Sequence, residues 1–269
     1  MNSITSFIKR HPQGVFWCIA YIISGGGYAL SLMYPSDFWP FVLWGITLAG
    51  ALVTWIADGG AGLKTYFSRI VRFHAGIQWY AIALLTPFVL AAIAFGLNIL
   101  TGAQVSGQLP EVGKAAVLFV LFLLTNAAEE PGFRGFSLPR LLRSRSAFTA
   151  SLIIGVLHAI WHLPLYIGGE QGLVDFLLPL CGAFLFTWIF NNTNGSVFLA
   201  MLLHASQDVA GRFFGAPFSG ADATSYSIWL GIAFVVMAIL LRVFAGRELG
   251  RKLEATVDAI SAEQPALAR

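Results

Sequence analysis

Eight stretches of the chain are apolar over lengths close to the roughly 20 residues that a helix needs to cross a bilayer. They run from Gly14 to Met33, Phe38 to Ile56, Ile77 to Leu100, Gly113 to about Leu138, Ala147 to Ile167, Leu173 to Phe190, Ser196 to Gly211 and Ile228 to Phe244. The seventh is short, and the fourth is interrupted by an acidic pair. In hydrocarbon each backbone polar group must be satisfied inside its own segment, so a run of this kind has to be helical. Composition agrees: 57% of the 269 residues are hydrophobic, 11% are charged, and mean hydropathy is +0.75. That is too little charge to cover a soluble domain. The expectation is an all-α polytopic membrane protein with about eight transmembrane helices. The first span is too long for a removable signal peptide and lacks a small-residue cleavage site, so it is read as retained. Gly25-Gly26-Gly27 within it suggests close helix packing or a local break.

Net charge is +3 and the pI is near 9.0, but the basic residues sit in short clusters between apolar runs. Such a pattern marks membrane orientation rather than a nucleic-acid face. With the N-terminus inside, the inner segments hold fourteen of the sixteen basic residues, leaving only Lys114 and Arg212 outside. The expected location is therefore the cell membrane, multi-pass, with both termini cytoplasmic and no nucleic-acid partner. Cys18 and Cys181 both lie in apolar runs and imply no disulfide framework. Gly60 to Gly76 mixes basic and aromatic residues and reads as a segment along the inner interface, with His74 an interfacial residue. "NNTNG" (Asn191 to Gly195) reads as a tight turn, and the tail after Phe244 as a short surface helix.

Ionisable residues inside the spans are few: Glu129, Glu130 and Arg134 on the fourth, His158 and His162 on the fifth, His204 and Asp208 on the seventh. A charge near mid-bilayer costs roughly 2.5–3.5 kcal/mol even on the lenient insertion scale. Seven such groups on three helices imply that they meet. Counted at the α-helical rise, Glu129, His162, His204 and Asp208 all fall roughly 14–21 Å from the inner boundary. Glu130 and Arg134 are four apart with the acid first, the favourable order for a helical ion pair. Glu129 points about 100° away from that face and is free for other work. Pro131-Gly132 disturbs the helix beside the pair and frees backbone groups. His158 and His162 share a face, as do His204 and Asp208. A carboxylate facing an imidazole away from bulk water is suited to take a proton from a bound water. The bland alternatives are a structural Glu130–Arg134 pair and histidines that are merely packed and hydrogen-bonded.

The order "EEPGFRGF", then "WHLPL", then "NGSVFLAMLLHASQD" resembles the CAAX protease and bacteriocin-processing family (CPBP or Abi), a family of intramembrane proteases. Its pattern is Glu-Glu-x-x-x-Arg, then Phe-x-x-x-His, then His-x-x-x-Asn. The resemblance covers about Leu118 to Gly211. It implies N-terminal membrane spans over residues 1–112, a catalytic core over 113–211, and a last span with a cytoplasmic tail over 212–269. It also implies that Glu129 activates water with help from His162, that Glu130 and Arg134 order the site, and that His204 with Asp208 stabilises the oxyanion. Metal dependence stays open: a zinc ion held by Glu129, His162 and His204 with an open position is one reading, and a metal-free base with hydrogen-bond donors is the other. The His-Glu-x-x-His zinc motif is absent, since Ala159 follows His158.

The chain departs from the family pattern at two positions. His158 stands where the family has Phe, as a third ligand or a polar filler. Asp208 stands where it has Asn, and an ionised aspartate cannot donate a hydrogen bond. The expected function is hydrolysis of a peptide bond in a membrane-associated substrate, either a lipidated CAAX-type tail or a leader peptide, with membrane lipid and that peptide or protein as partners. A non-enzymatic bacteriocin-immunity or scaffold protein is the alternative. A proton-coupled transporter is a further one, although paired broken helices in corresponding halves are not seen.

Overall fold

The computed structural model describes residues 3–34, 39–169 and 171–251, and every regular element among them is helical. In chain order these are α1 (Ser3–Arg10), α2 (Pro12–Met33), α3 (Trp39–Ile70), α4 (Ile77–Leu100), α5 (Val112–Leu124), α6 (Leu138–Leu141), α7 (Ala147–Trp161), α8 (Leu163–Ile167), α9 (Leu177–Asn192), α10 (Val197–Gly215) and α11 (Gly220–Phe244). Between α5 and α6 lie a 3₁₀ turn, Asn126–Glu129, and a π-helical stretch, Pro131–Ser137; a second 3₁₀ turn, Leu173–Phe176, leads into α9. Five segments are long and apolar enough to cross a membrane: Trp44–Ile70, Ile77–Leu100, Val112–Leu141, Val174–Asn192 and Gly220–Phe244. Ala147–Trp161 is apolar but shorter. The chain is a multi-pass, all-α membrane protein. Phe38, at the start of the second expected span, lies outside the described residues, as do Lys252 and Arg269.

Large apolar side chains are exposed at helical spacing along α4 (Leu85, Val89, Ile93) and α11 (Ile232, Val236, Ile239, Val243). The opposite faces of the same helices are buried, through Leu90 and Ala94 on α4 and Leu230, Phe234 and Met237 on α11. A bundle apolar on both sides is one whose surrounding solvent is lipid. Inside it, α2 packs on α3, α3 on the π-helical stretch, α4 on α10 and α7 on α9.

Several expectations need correction. The helix of the second expected span does not end at Ile56. The helix runs on to Ile70 across a kink at Gly59, whose φ of 68° is a conformation that favours glycine. The Tyr66 hydroxyl then donates to the Thr47 carbonyl at 3.0 Å. Nineteen residues of straight helix would separate those residues by about 28 Å, so the arm after Gly59 must double back along α3. Tyr66 is consequently buried against the rest of the protein. The glycine triplet neither breaks α2 nor makes a close contact at Gly25 or Gly26, where an added Cβ would meet open space.

At the seventh expected span α10 runs on to Gly215, and at the eighth α11 begins at Gly220 rather than Ile228. Most of the tail after Phe244, 252–269, where the short surface helix is expected, lies outside the described residues; its first residues, 245–251, are turned, with Leu249 fully buried and Arg251 Nη1 donating to the Leu142 carbonyl at 2.6 Å. "NNTNG" does form a tight turn, with positive φ at Asn194 and Gly195.

Close approach occurs at other glycines. A Cβ on Gly155 would lie 2.5 Å from the Leu180 carbonyl oxygen, so α7 and α9 touch backbone to backbone there. Small residues permit such contacts in membrane bundles. Gly155→Leu is expected to cost about 1–3 kcal/mol through overpacking, read as a lower Tm of the detergent-purified protein. An unchanged Tm would contradict the contact.

Candidate active site

The site begins where α5 stops. Pro131 has no N–H to give, and its ring would clash with the carbonyl four residues earlier, so an α-helix cannot pass through it undisturbed. The chain tightens into the 3₁₀ turn at Asn126–Glu129 and then widens into the π-helical stretch. Irregular backbone in a membrane needs partners. The freed Ala128 carbonyl finds one in the Thr47 hydroxyl of α3, the same residue whose carbonyl accepts from Tyr66. On the next helix, Pro164 ends α7 at Trp161 and leaves His162 at the junction with α8. Both breaks bear chemistry-carrying side chains.

Adjacent positions send the two glutamates different ways. Glu130 is fully buried; Arg134 Nη1 donates to its Oε1 at 3.0 Å and stands 2.9 Å from Oε2. His204 Nδ1 lies 2.8 Å from the same Oε1. The Arg134 guanidinium sits over the Phe186 ring, 4.0 Å from its centroid. The π-helical stretch, α9 and α10 are thereby tied at one buried knot.

Glu129, also buried, turns to α7, where its Oε2 is 3.2 Å from His158 Nε2. The His162 ring stands 5.0 Å from that of His158, centroid to centroid. His162 Nδ1 faces Gln171 Oε1 at 3.1 Å, while its Nε2 is buried with no hydrogen-bond partner among the described residues. Asp208 is part-buried; its Oδ2 accepts from Asn126 Nδ2 and lies 3.9 Å from His204 Nε2. His74 is exposed and apart from all of these.

All six expected site residues, Glu129, Glu130, Arg134, His162, His204 and Asp208, thus lie in one neighbourhood: Glu129 bonds His158, Glu130 bonds Arg134 and His204, Asp208 stands 3.9 Å from His204, and the His162 ring is 5.0 Å from that of His158. His158 lies there too, as the imidazole within hydrogen-bond distance of Glu129. A three-donor metal set would also differ from the expected one. Donor atoms of Glu129, His158 and His162 all lie within 4.8 Å of one another, and His204 is outside that set. One carboxylate and two imidazoles suit zinc with a position left open. Asn126 and Gln171 are additions. Asn126 was detectable as a polar residue one 3₁₀ turn before Glu129; Gln171, in a loop, carried no sequence signal.

Residues 111–210 match the family model described as type II CAAX prenyl endopeptidase Rce1-like. Two curated proteins are similar. Lysostaphin resistance protein A of Staphylococcus haemolyticus is 25% identical over 208 residues, covering 72% of this chain and 54% of that protein. CAAX prenyl protease 2 of Methanococcus maripaludis is 29% identical over 134 residues, covering 45% of this chain and 49% of that protein. The chain spans about half the length of the curated relatives it matches.

Proposed function

We propose, for a chain whose residues 111–210 match the model of the type II CAAX prenyl endopeptidase Rce1-like family, that it is an intramembrane endopeptidase in which Glu129 and His162 activate water. The observation that carries this reading is the buried Glu129 carboxylate, hydrogen-bonded to His158 and within 4.8 Å of a ring nitrogen of His162, whose buried Nε2 has no hydrogen-bond partner among the described residues. A water lodged between them satisfies both groups and is held at the distance general-base catalysis requires. Water adds to the scissile carbonyl carbon as its proton passes to Glu129, and the C=O pair moves onto oxygen. Collapse of that intermediate breaks the C–N bond, and the amine leaves with the proton from Glu129.

His158 holds the Glu129 carboxylate in place. Glu130, Arg134 and His204 fix the frame on which the 3₁₀ turn rests, and the side bearing His204 and Asp208 faces the developing oxyanion. The donor set of Glu129, His158 and His162 also fits one zinc-class ion, which when bound would polarise a carbonyl or water. The catalytic unit is residues 113–211, and the substrate is a membrane-associated peptide, a lipidated CAAX-type tail or a leader sequence. The test is purified chain in detergent, incubated with prenylated CAAX peptides and leader peptides and followed by mass spectrometry. Discrete cleavage is expected; intact peptides with folded protein would overturn the reading. A resistance or immunity role without turnover is the second reading, favoured by the name of the staphylococcal relative.

The basic-residue asymmetry supports eight spans in the cell membrane with both termini cytoplasmic. Reporter fusions after Gly107, Gly169 and Gly220 are expected to read as outside. A cytoplasmic signal at any of them would contradict this topology.

A further inference from the structure

Position 208 is an aspartate where the resembled family pattern has asparagine, so the amide that would donate to an oxyanion is missing there. An amide nevertheless stands beside it. Asn126 Nδ2 donates to Asp208 Oδ2, while Asn126 Oδ1 faces the Thr125 hydroxyl at 3.1 Å. A carboxylate only accepts, so the nitrogen end of the amide is the end turned to Asp208. That nitrogen carries two hydrogens, and among the described residues no other hydrogen bond reaches it. Asn126 and Glu129 open and close one 3₁₀ turn. Side chains three apart in such a turn eclipse, so the carboxamide shares a face with the carboxylate that takes the proton from water. Across from it, the same Asp208 oxygen lies 3.9 Å from His204 Nε2.

We propose that Asn126 is a catalytic residue: its second N–H donates to the scissile carbonyl oxygen as that oxygen gains charge, and Asp208 is the positioning residue that aims the amide through the first. The pair exchanges the chemistry of two positions, with the donor on the 3₁₀ turn and the acceptor on α10. This rests on the hydrolase reading above. It also changes what Asp208 does, from oxyanion donor to acceptor.

The test compares kcat and KM on one cleaved peptide for wild type, Asn126→Ala, Asn126→Asp and the exchange Asn126→Asp with Asp208→Asn. Loss of a single oxyanion donor lowers kcat by roughly 10²–10³-fold, so Asn126→Ala is expected to fall in that range with KM little changed. Asn126→Asp sets two carboxylates together and is expected to be no better. The exchange returns an amide to position 208 facing an acceptor at 126, and should recover about tenfold or more of kcat over Asn126→Asp. A merely structural amide would lower folded yield but leave kcat per folded enzyme near the wild-type value in every variant, with nothing in kcat for the exchange to rescue.

A kcat for Asn126→Ala equal to wild type, or an exchange no more active than Asn126→Asp, overturns the inference. If Asn126→Ala does not fold, the comparison of Asn126→Asp with the exchange decides alone. Wild type that cleaves nothing overturns the hydrolase reading and this inference with it; wild type that cleaves beside Asn126 variants of normal kcat overturns this inference only.

Discussion

Glu129→Gln is expected to lower kcat for peptide hydrolysis by about 10²–10⁴-fold, the range in which a positioned general base contributes. Glutamine has the same shape and can still hydrogen-bond to His158, so folded yield should match wild type. Loss of turnover would then belong to the lost base and not to a collapsed site. The buried environment sharpens the expectation, because Glu129 is 3% exposed and bulk water cannot readily substitute for it. Activity of purified Glu129→Gln equal to wild type would remove Glu129 from the mechanism. Under an immunity or scaffold role, the same variant would keep its binding and phenotype.

Glu130 and Arg134 should fail differently. They are 0% and 1% exposed and bonded to each other, with His204 joined to Glu130. Removing one member leaves an uncompensated charge buried in the bundle, which typically costs about 3–5 kcal/mol. Arg134→Ala or Glu130→Ala is therefore expected to reduce folded, monodisperse protein strongly and to lower the Tm of what remains. Arg134→Met combined with Glu130→Leu removes both charges while filling the volume, and should recover much of the Tm without recovering activity. Single variants as stable as wild type would show that the pair does not hold the frame.

The chemistry was more legible in the sequence than the backbone that presents it. Adjacent glutamates on one helix must diverge, and the four-residue spacing of Glu130 and Arg134 already indicated which one would be neutralised. Pro131 marked a break, but nothing local states that the chain tightens to 3₁₀ before it and widens to π after it. That choice is settled by long-range partners such as Thr47, which takes the freed Ala128 carbonyl. The reversal at Gly59 was hidden for a related reason. Glycine permits a positive φ without requiring it, and the bond that folds the arm back joins residues nineteen apart. His158 was visible as a neighbour of His162 on one face, yet its role depended on which imidazole the 3₁₀ turn would bring to Glu129. Asn126 stands three residues before Glu129, but it carries no charge and so does not stand out among the ionisable groups of the fourth span.

A single turnover of wild-type enzyme on a cleaved peptide in ¹⁸O-labelled water tests the central claim most directly. If Glu129 activates water for direct attack, the new carboxyl terminus carries one labelled oxygen in the first turnover, and Glu129→Gln yields no product on that timescale. An unlabelled first-turnover product, or labelled product formed at the same rate by Glu129→Gln, would contradict it.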